Sequence, residues 1–318
     1  MIDKNKVYSK LKEPMLRRAQ RSGGLSPKEL SALENLPKVK SLSPFSGKEA
    51  YKNVPFSWVL QDLIYASVLG DGYIQKQYAR GDARILLEHS GAQEDYLKWK
   101  VSILKLFLGG EVKHRIRDSR PGFNIDKKLS GFFRYTSPAN SIITDIYYDL
   151  FKQKEDGRYK VNLRLKWLNR FTALGLMIWY LDDAHLHPRD REIIISVHSL
   201  GEGNILKLRK YLKSAWDLDC RIEMSKVRDV YNARLRFSTN QSKKFIRIIM
   251  PVVPRECKSM LYKLCMVYKQ HEPQQRWISD LIEFSQFTEN EIAEFYRNKI
   301  TDKLFVKCFP NVKLLFIR

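Results

Sequence analysis

Two stretches of this chain are apolar over helix length and end in acid. Leu63–Ile74 reads LIYASVLGDGYI and Gly175–Leu186 reads GLMIWYLDDAHL. Each apolar run stops at an aspartate, Asp71 or Asp183, followed by a small residue, Gly72 or Ala184. Between and after them the pattern switches between helical and period-two spacing. It predicts a helix from Phe56 through the first motif, strands near Tyr73–Tyr78 and Ala83–His89, and a helix over Glu94–Leu108. Strands in EVKHRIRDS (111–119) and GFFRYTS (131–137) follow, then a helix over Ser141–Phe151. The same order returns after the second motif. Strands are expected near the polar turn His187–Arg191 and over Glu192–Ser199, then a helix over Asn204–Trp216. Strands in CRIEMSKVR (220–228) and NARLRFST (232–239) precede a helix over Ser242–Met250.

The recurrence has a register. Asp183 lies 112 positions after Asp71, and His198-Ser199 lies 109 after His89-Ser90. Tyr135-Thr136-Ser137 and Ser238-Thr239-Asn240 each close a last strand. These offsets predict an α+β chain of two αββαββα half-domains, 56–157 and 158–269, related by a pseudo-twofold axis. A basic extension, 1–55, precedes them and another, 270–318, follows. Both extensions carry helix starts: Ser26-Pro27-Lys28-Glu29 and the capping box Thr288–Glu291.

A carboxylate at a helix C-terminus faces the negative end of the helix dipole, and two such groups together repel as well. A divalent cation reverses both penalties, and carboxylates with backbone carbonyls are hard oxygen ligands of the kind Mg²⁺ takes. Singly, either aspartate reads as an ordinary helix-end carboxylate beside a turn. The matched pair favours a cation site with one carboxylate from each half.

Charge narrows the partner. Lys and Arg number 57 against 35 Asp and Glu, a net +22, which draws polyanions. At 44% hydrophobic residues the chain can build a core. The cysteines, Cys220, Cys257, Cys265 and Cys308, have no CxxC spacing and read as reduced thiols of an intracellular protein without a zinc site. His185 and His187 have no cysteine partner and read as polar turn residues. No apolar run reaches membrane-spanning length, and no signal-peptide core is visible.

Strand periodicity places the charge. In EVKHRIR, Lys113, Arg115 and Arg117 share one face; in NARLRF, Asn232, Arg234 and Arg236 do. Solvated strand charge is the plain alternative. Collection of basic side chains on corresponding strands of both halves favours two saddle-like sheets facing DNA, where such groups read base edges and phosphates. Gln75 and Gln77, just past the first motif, belong near the cation site.

The paired motifs in αββαββα spacing resemble the signature helices of the LAGLIDADG homing endonucleases, over about residues 56–265. The resemblance is to the single-chain, two-motif branch that includes the yeast mitochondrial omega-intron enzyme. It implies a monomeric, sequence-specific double-strand DNA endonuclease of an intron- or intervening-sequence-homing kind, in an organelle or a bacterial cytoplasm, that leaves short 3′ overhangs. Asp71 and Asp183 would hold Mg²⁺, or another divalent cation such as Mn²⁺, assisted by the carbonyls of Gly70 and Asp182. Lys160, 23 positions before Asp183, and Lys263 match the family's lysines that act near the centre. Three departures stand out, one of them the terminal extensions, which have no counterpart in the family. Ala184 replaces the usual glycine and is strained if that position needs a positive φ, and Trp179 and Tyr180 are bulky for a tight helix pair. The alternative is an intron maturase or ribonucleoprotein component binding structured intron or ribosomal RNA, toward which Ala184 and the basic extensions lean.

Overall fold

The computed structural model describes residues 57–76, 81–116, 131–153, 159–169, 171–227 and 230–301. The first unit runs α1 (Ser57–Leu69), β1 (Gly72–Lys76), β2 (Ala83–Ser90), α2 (Glu94–Leu108), β3 (Glu111–Ile116), β4 (Gly131–Thr136) and α3 (Ser141–Leu150). A hairpin of β5 (Phe151–Gln153) and β6 (Tyr159–Val161), then the single turn α4 (Leu165–Leu168), lead to the second motif. The second unit runs α5 (Ala173–Asp183), β7 (Ala184–Leu186), β8 (Ile193–Ser196), α6 (Glu202–Trp216), β9 (Arg221–Val227), β10 (Val230–Phe237) and α7 (Thr239–Ile249). Two 3₁₀ turns, Met250–Val252 and Lys258–Lys263, lead to α8 (His271–Phe284) and α9 (Glu289–Thr301).

The expected duplication is present strand for strand. Both large sheets are antiparallel, ordered β1-β2-β4-β3 and β7-β8-β10-β9. Alternation fixes their faces. In β2, Ala83, Ile85, Leu87 and His89 are buried while Arg84, Leu86 and Glu88 are only half-buried. In β10, Ala233, Leu235 and Phe237 are buried and Arg234 and Arg236 face away from them. The apolar face of each sheet packs into one continuous core with the helices. At the centre lies α5, apolar all round and buried from Ala173 through Asp182, as a helix without a polar face must be.

The motif helices α1 and α5 pack against each other at glycines. A β-carbon on Gly70 would collide with the side chain of Asp182, and one on Gly175 would lie 3.1 Å from Asp62 Oδ1. Tyr180 of α5 points elsewhere: its ring lies 5.4 Å from that of Phe245 of α7, tilted by 39°. Tyr180 therefore does not obstruct the pair.

Several expectations are corrected. The polar turn expected at His187–Arg191 is there, closed by Arg191 N–H donating to His187 O at 2.8 Å, and the strand near it is Ala184–Leu186, immediately after α5. Pro188, which has no N–H, suits the turn. Ala184 is not strained: its φ of −84° and ψ of 148° are ordinary extended backbone. Gly72 is needed for another reason, since a β-carbon there would lie 2.7 Å from Ser67 O. Helix α7 begins at Thr239 rather than Ser242, because the Ser238 side chain caps it by accepting from Gln241 N–H. The β5–β6 hairpin and α8 were not foreseen. The capping box at Thr288 forms as expected: Thr288 N–H donates to Glu291 Oε2 at 2.8 Å and Glu291 N–H to Thr288 Oγ1 at 3.3 Å. The helix start at Ser26 lies outside the described residues.

Candidate metal centre and nucleic-acid face

Asp62 docks the motif helices at one end. From α1, its buried Oδ2 accepts from Thr172 N–H at 3.0 Å, Thr172 Oγ1–H at 2.5 Å and Gly175 N–H at 3.2 Å. A carboxylate from one helix thus satisfies the open N–H groups, and the positive dipole end, of the other. With that end and the two glycine contacts fixed, the C-terminal ends come together.

Asp71 and Asp183 meet there. The Asp71 side chain is 43% exposed, and its pKa is raised to about 6, by burial first and then by the charge of Asp182. Asp183, half-buried, is raised to about 7, again by burial first and then by Asp71 and Asp182. Lys100 and Lys263 act in the opposite direction on both. Asp183 therefore feels the charge of Asp71, and both carboxylates are under-compensated.

Asp182, expected to offer only its carbonyl, has a wholly buried side chain with its own cation. Lys100 Nζ, from α2 of the first half, donates to its two oxygens at 2.6 and 2.8 Å, and Tyr96 O–H donates at 2.8 Å. Lys100 Nζ also lies 3.3 Å from His89 Nε2, and His89 Nδ1 is 3.3 Å from Gln93 Oε1. An ammonium has no acceptor, so Nε2 accepts and the proton sits on Nδ1, pointing at Gln93. Burial, then Lys100, pushes His89 down to about 4, which keeps it neutral. Sequence reasoning missed Lys100 and His89 as members of the site. The signal was Lys100 four places from both Tyr96 and Leu104, on the buried stripe of α2.

Lys263 arrives from the other side. It ends the second 3₁₀ turn, is 4% exposed, and its Nζ donates to Leu181 O and, at 3.4 Å, to Asp182 O. These are carbonyls left open at the end of α5, where a cation is favoured. Burial lowers its pKa, and the three aspartates oppose that shift. Tyr180 O–H donates to Lys263 O. Of the expected site residues, the structure thus gathers Gly70, Asp71, Asp182, Asp183 and Lys263. Lys160 is not among them: it lies exposed on β6, paired in register with Lys152.

Asp71, His89 and Asp182 each offer a ligand atom, all within 4.8 Å of one another. Lys100 already occupies His89 and Asp182, so the carboxylates with unmet charge are Asp71 and Asp183. Three aspartates against two lysines leave one net negative charge when all are ionised, and the open groups are hard oxygens. That donor set fits a divalent cation such as Mg²⁺ or Mn²⁺. Among the described residues, His185 and His187 belong to no such group.

The sheet faces turned from the core carry the expected polar side chains. In the first, Gln75 accepts from Arg84 at 2.7 Å, Arg134 pairs with Glu88, and Lys113 and Arg115 are exposed. Arg84, Lys113, Arg115 and Arg134 line an open hollow of about 620 Å³. In the second, Asn232, Arg234 and Arg236 share the open face with Ser196 and Ser225. Arg236 is the least free, held by Glu192, Glu223 and Asp190. Gln77 and Arg117 lie outside the described residues.

Comparison with known proteins agrees with this architecture. Residues 62–245 match the model of the LAGLIDADG DNA endonuclease family. The DNA endonuclease I-ChuI of Chlamydomonas applanata is 24% identical over 217 residues, covering 66% of this chain and 96% of that protein. Protein RecA of Mycolicibacterium flavescens is 29% identical over 214 residues, 64% of this chain but 45% of that protein; the chain spans about half the length of the RecA relatives it matches. Among solved structures, the homing endonuclease I-WcaI bound to its DNA recognition sequence has the same fold, with a TM-score of 0.57 at 15% identity over 73% of this chain and 98% of that one.

Proposed function

The chain belongs to the LAGLIDADG DNA endonuclease family, and from that premise we propose that it is a sequence-specific homing endonuclease that cuts both strands of a DNA duplex using divalent cations. The observation that carries this reading is the convergence of Asp71 and Asp183, under-compensated and raised to about 6 and 7, at the joint of two repeated units. A centre with net negative charge repels a phosphodiester. Cations held by Asp71 and Asp183 would invert that sign and supply an activated water for hydrolysis.

The chain's own residues do the remainder. Lys100 neutralises Asp182, so that carboxylate neither repels the phosphate nor competes for cations. Lys263 sets its Nζ at the end of α5, from where it could meet charge gathering on a phosphorane. The basic sheet faces hold the backbone in register, and Gln75, Arg234 and Asn232 can reach base edges. Lys160 has no support from position in this scheme. The RNA-binding reading has lost one of its supports, since Ala184 is unstrained.

The test is cleavage of a randomised duplex library by the full chain with Mg²⁺ or Mn²⁺. A defined long site with short 3′ overhangs is expected, and the Asp71→Asn/Asp183→Asn variant should bind that site without cutting it. Equal cutting by both proteins overturns the assignment. Binding to structured RNA with no DNA cleavage replaces it.

A further inference from the structure

We infer that the C-terminal helices α8 and α9 are a positioning brace for Lys263. This rests on the endonuclease reading, in which Lys263 works at the reacting phosphate. The segment that follows it, 264–268, is neither helix nor strand, yet it is buried throughout. Buried irregular backbone needs partners for its polar groups, and α8 and α9 supply them. Trp277 Nε1–H donates to Leu264 O at 3.1 Å. Tyr296 O–H donates to Met266 O at 2.8 Å, and Gln274 Nε2–H to the same oxygen at 3.4 Å. Gln274 Oε1 accepts from Tyr268 N–H at 2.8 Å. Gln274 is 3% exposed, a buried amide with both ends committed to this segment.

The brace is anchored on each side of Lys263. Arg255 and Lys258, upstream of it, both pair with Glu291 near the start of α9, at 3.3 and 2.8 Å. Arg247 of α7 pairs with Asp280 of α8 at 2.5 Å and lies over the Trp277 ring. The braced segment also reaches the second sheet. Arg191, in the turn before β8, stacks over Tyr268 at 4.8 Å and donates to Val267 O at 3.3 Å. One strip of irregular chain therefore links Lys263 to the turn before β8, and the helices beyond the repeated units hold that strip. Trp277, Gln274 and Tyr296 are positioning residues acting through Lys263.

The test uses the full chain with Gln274→Leu, Trp277→Phe and Tyr296→Phe combined, which removes the hydrogen bonds and keeps most of the bulk. Acylation of lysines by acetic anhydride, followed by peptide mass spectrometry, reads Lys263 directly; its labelling relative to exposed Lys210 of α6 should rise about fivefold or more, as local opening replaces burial. Single-turnover cleavage should fall about tenfold with unchanged DNA affinity, and the same triple change should add no loss to Lys263→Met, since coupled residues are non-additive. Unchanged labelling, or an equal loss in both backgrounds, overturns the brace. If the wild-type chain cuts no DNA, the endonuclease reading fails alone, because the labelling ratio still decides whether α8 and α9 hold Lys263.

Discussion

Cation binding by this protein should release protons, and the number follows from the two central aspartates. With Asp183 near 7 and Asp71 near 6, about 0.9 proton on the first and about 0.5 on the second must leave at pH 6 for both to bind, about 1.4 in all. At pH 8 the total is about 0.1. Linkage converts this into affinity: protonation lowers binding about 20-fold at pH 6 and hardly at pH 8. Isothermal titration with Mn²⁺ in two pH 6 buffers of different ionisation enthalpy measures the proton count, and repetition at pH 8 gives the affinity ratio. The pair titrates as a unit, so its macroscopic steps are what the experiment reads. Zero release at pH 6, or equal affinity at both values, refutes the idea that these carboxylates are the ligands. Asp71→Asn/Asp183→Asn should abolish the release.

The same shifts set stability without cations. Both folded-state values lie above the ordinary carboxylate value of 3.8, so folding favours the protonated forms. Their contribution is full below about pH 4 and is lost as pH rises through about 7. In EDTA the melting temperature should therefore fall between pH 5 and pH 8, and millimolar Mg²⁺ should remove most of that slope. A rise in melting temperature with pH in EDTA, traced to these residues by its absence in the double asparagine variant, contradicts the sign.

Three further outcomes follow from contacts in the fold. Lys100→Met leaves the Asp182 carboxylate buried without its cation and should cost about 3–5 kcal/mol in chemical denaturation, mostly recovered by adding Asp182→Asn; a loss under 1 kcal/mol shows that the pair is not closed to water. Asp62→Ala removes the acceptor of three hydrogen bonds at the start of α5 and should cost about 2–4 kcal/mol, a lost cap plus unsatisfied buried donors, with Asp62→Asn recovering part of it. Arg115→Ala should lower the salt slope of DNA binding by about 1 in fluorescence anisotropy, whereas Arg236→Ala, whose guanidinium is already neutralised by Glu192 and Glu223, should change it less; equal effects remove the distinction.

What was legible in the sequence was periodic. The two apolar runs, the alternating strands and the shared offset are local patterns, and they led to two matching sheets, while the strand order within each emerged only from the structure. The aspartates were legible because a carboxylate at the end of an apolar helix is anomalous. Lys100 was not, because a lysine in a 15-residue amphipathic helix is unremarkable until something across the fold claims it, and Asp182 is 82 positions away. Lys160 is the converse case. Counting back from Asp183 put it at the centre, and the structure places it exposed on the β5–β6 hairpin, with no contact to the aspartates among the described residues.

Duplication gave the centre two equivalent aspartates, but their support is not duplicated. Gly70 occupies the position 112 before Asp182, and the two meet: the glycine leaves room for the Asp182 side chain to lie against it. Asp182 in turn needs Lys100, which comes from the first unit, while the end of its own helix is held by Lys263 from the second. Asp62 repeats the exchange at the opposite end, reaching from α1 to cap α5. Asp62, Lys100 and Asp182 are thus satisfied across the joint, and separating the units would strand them together. This makes the joint a poor place for slippage, since no single contact can open without leaving an unpaired charge.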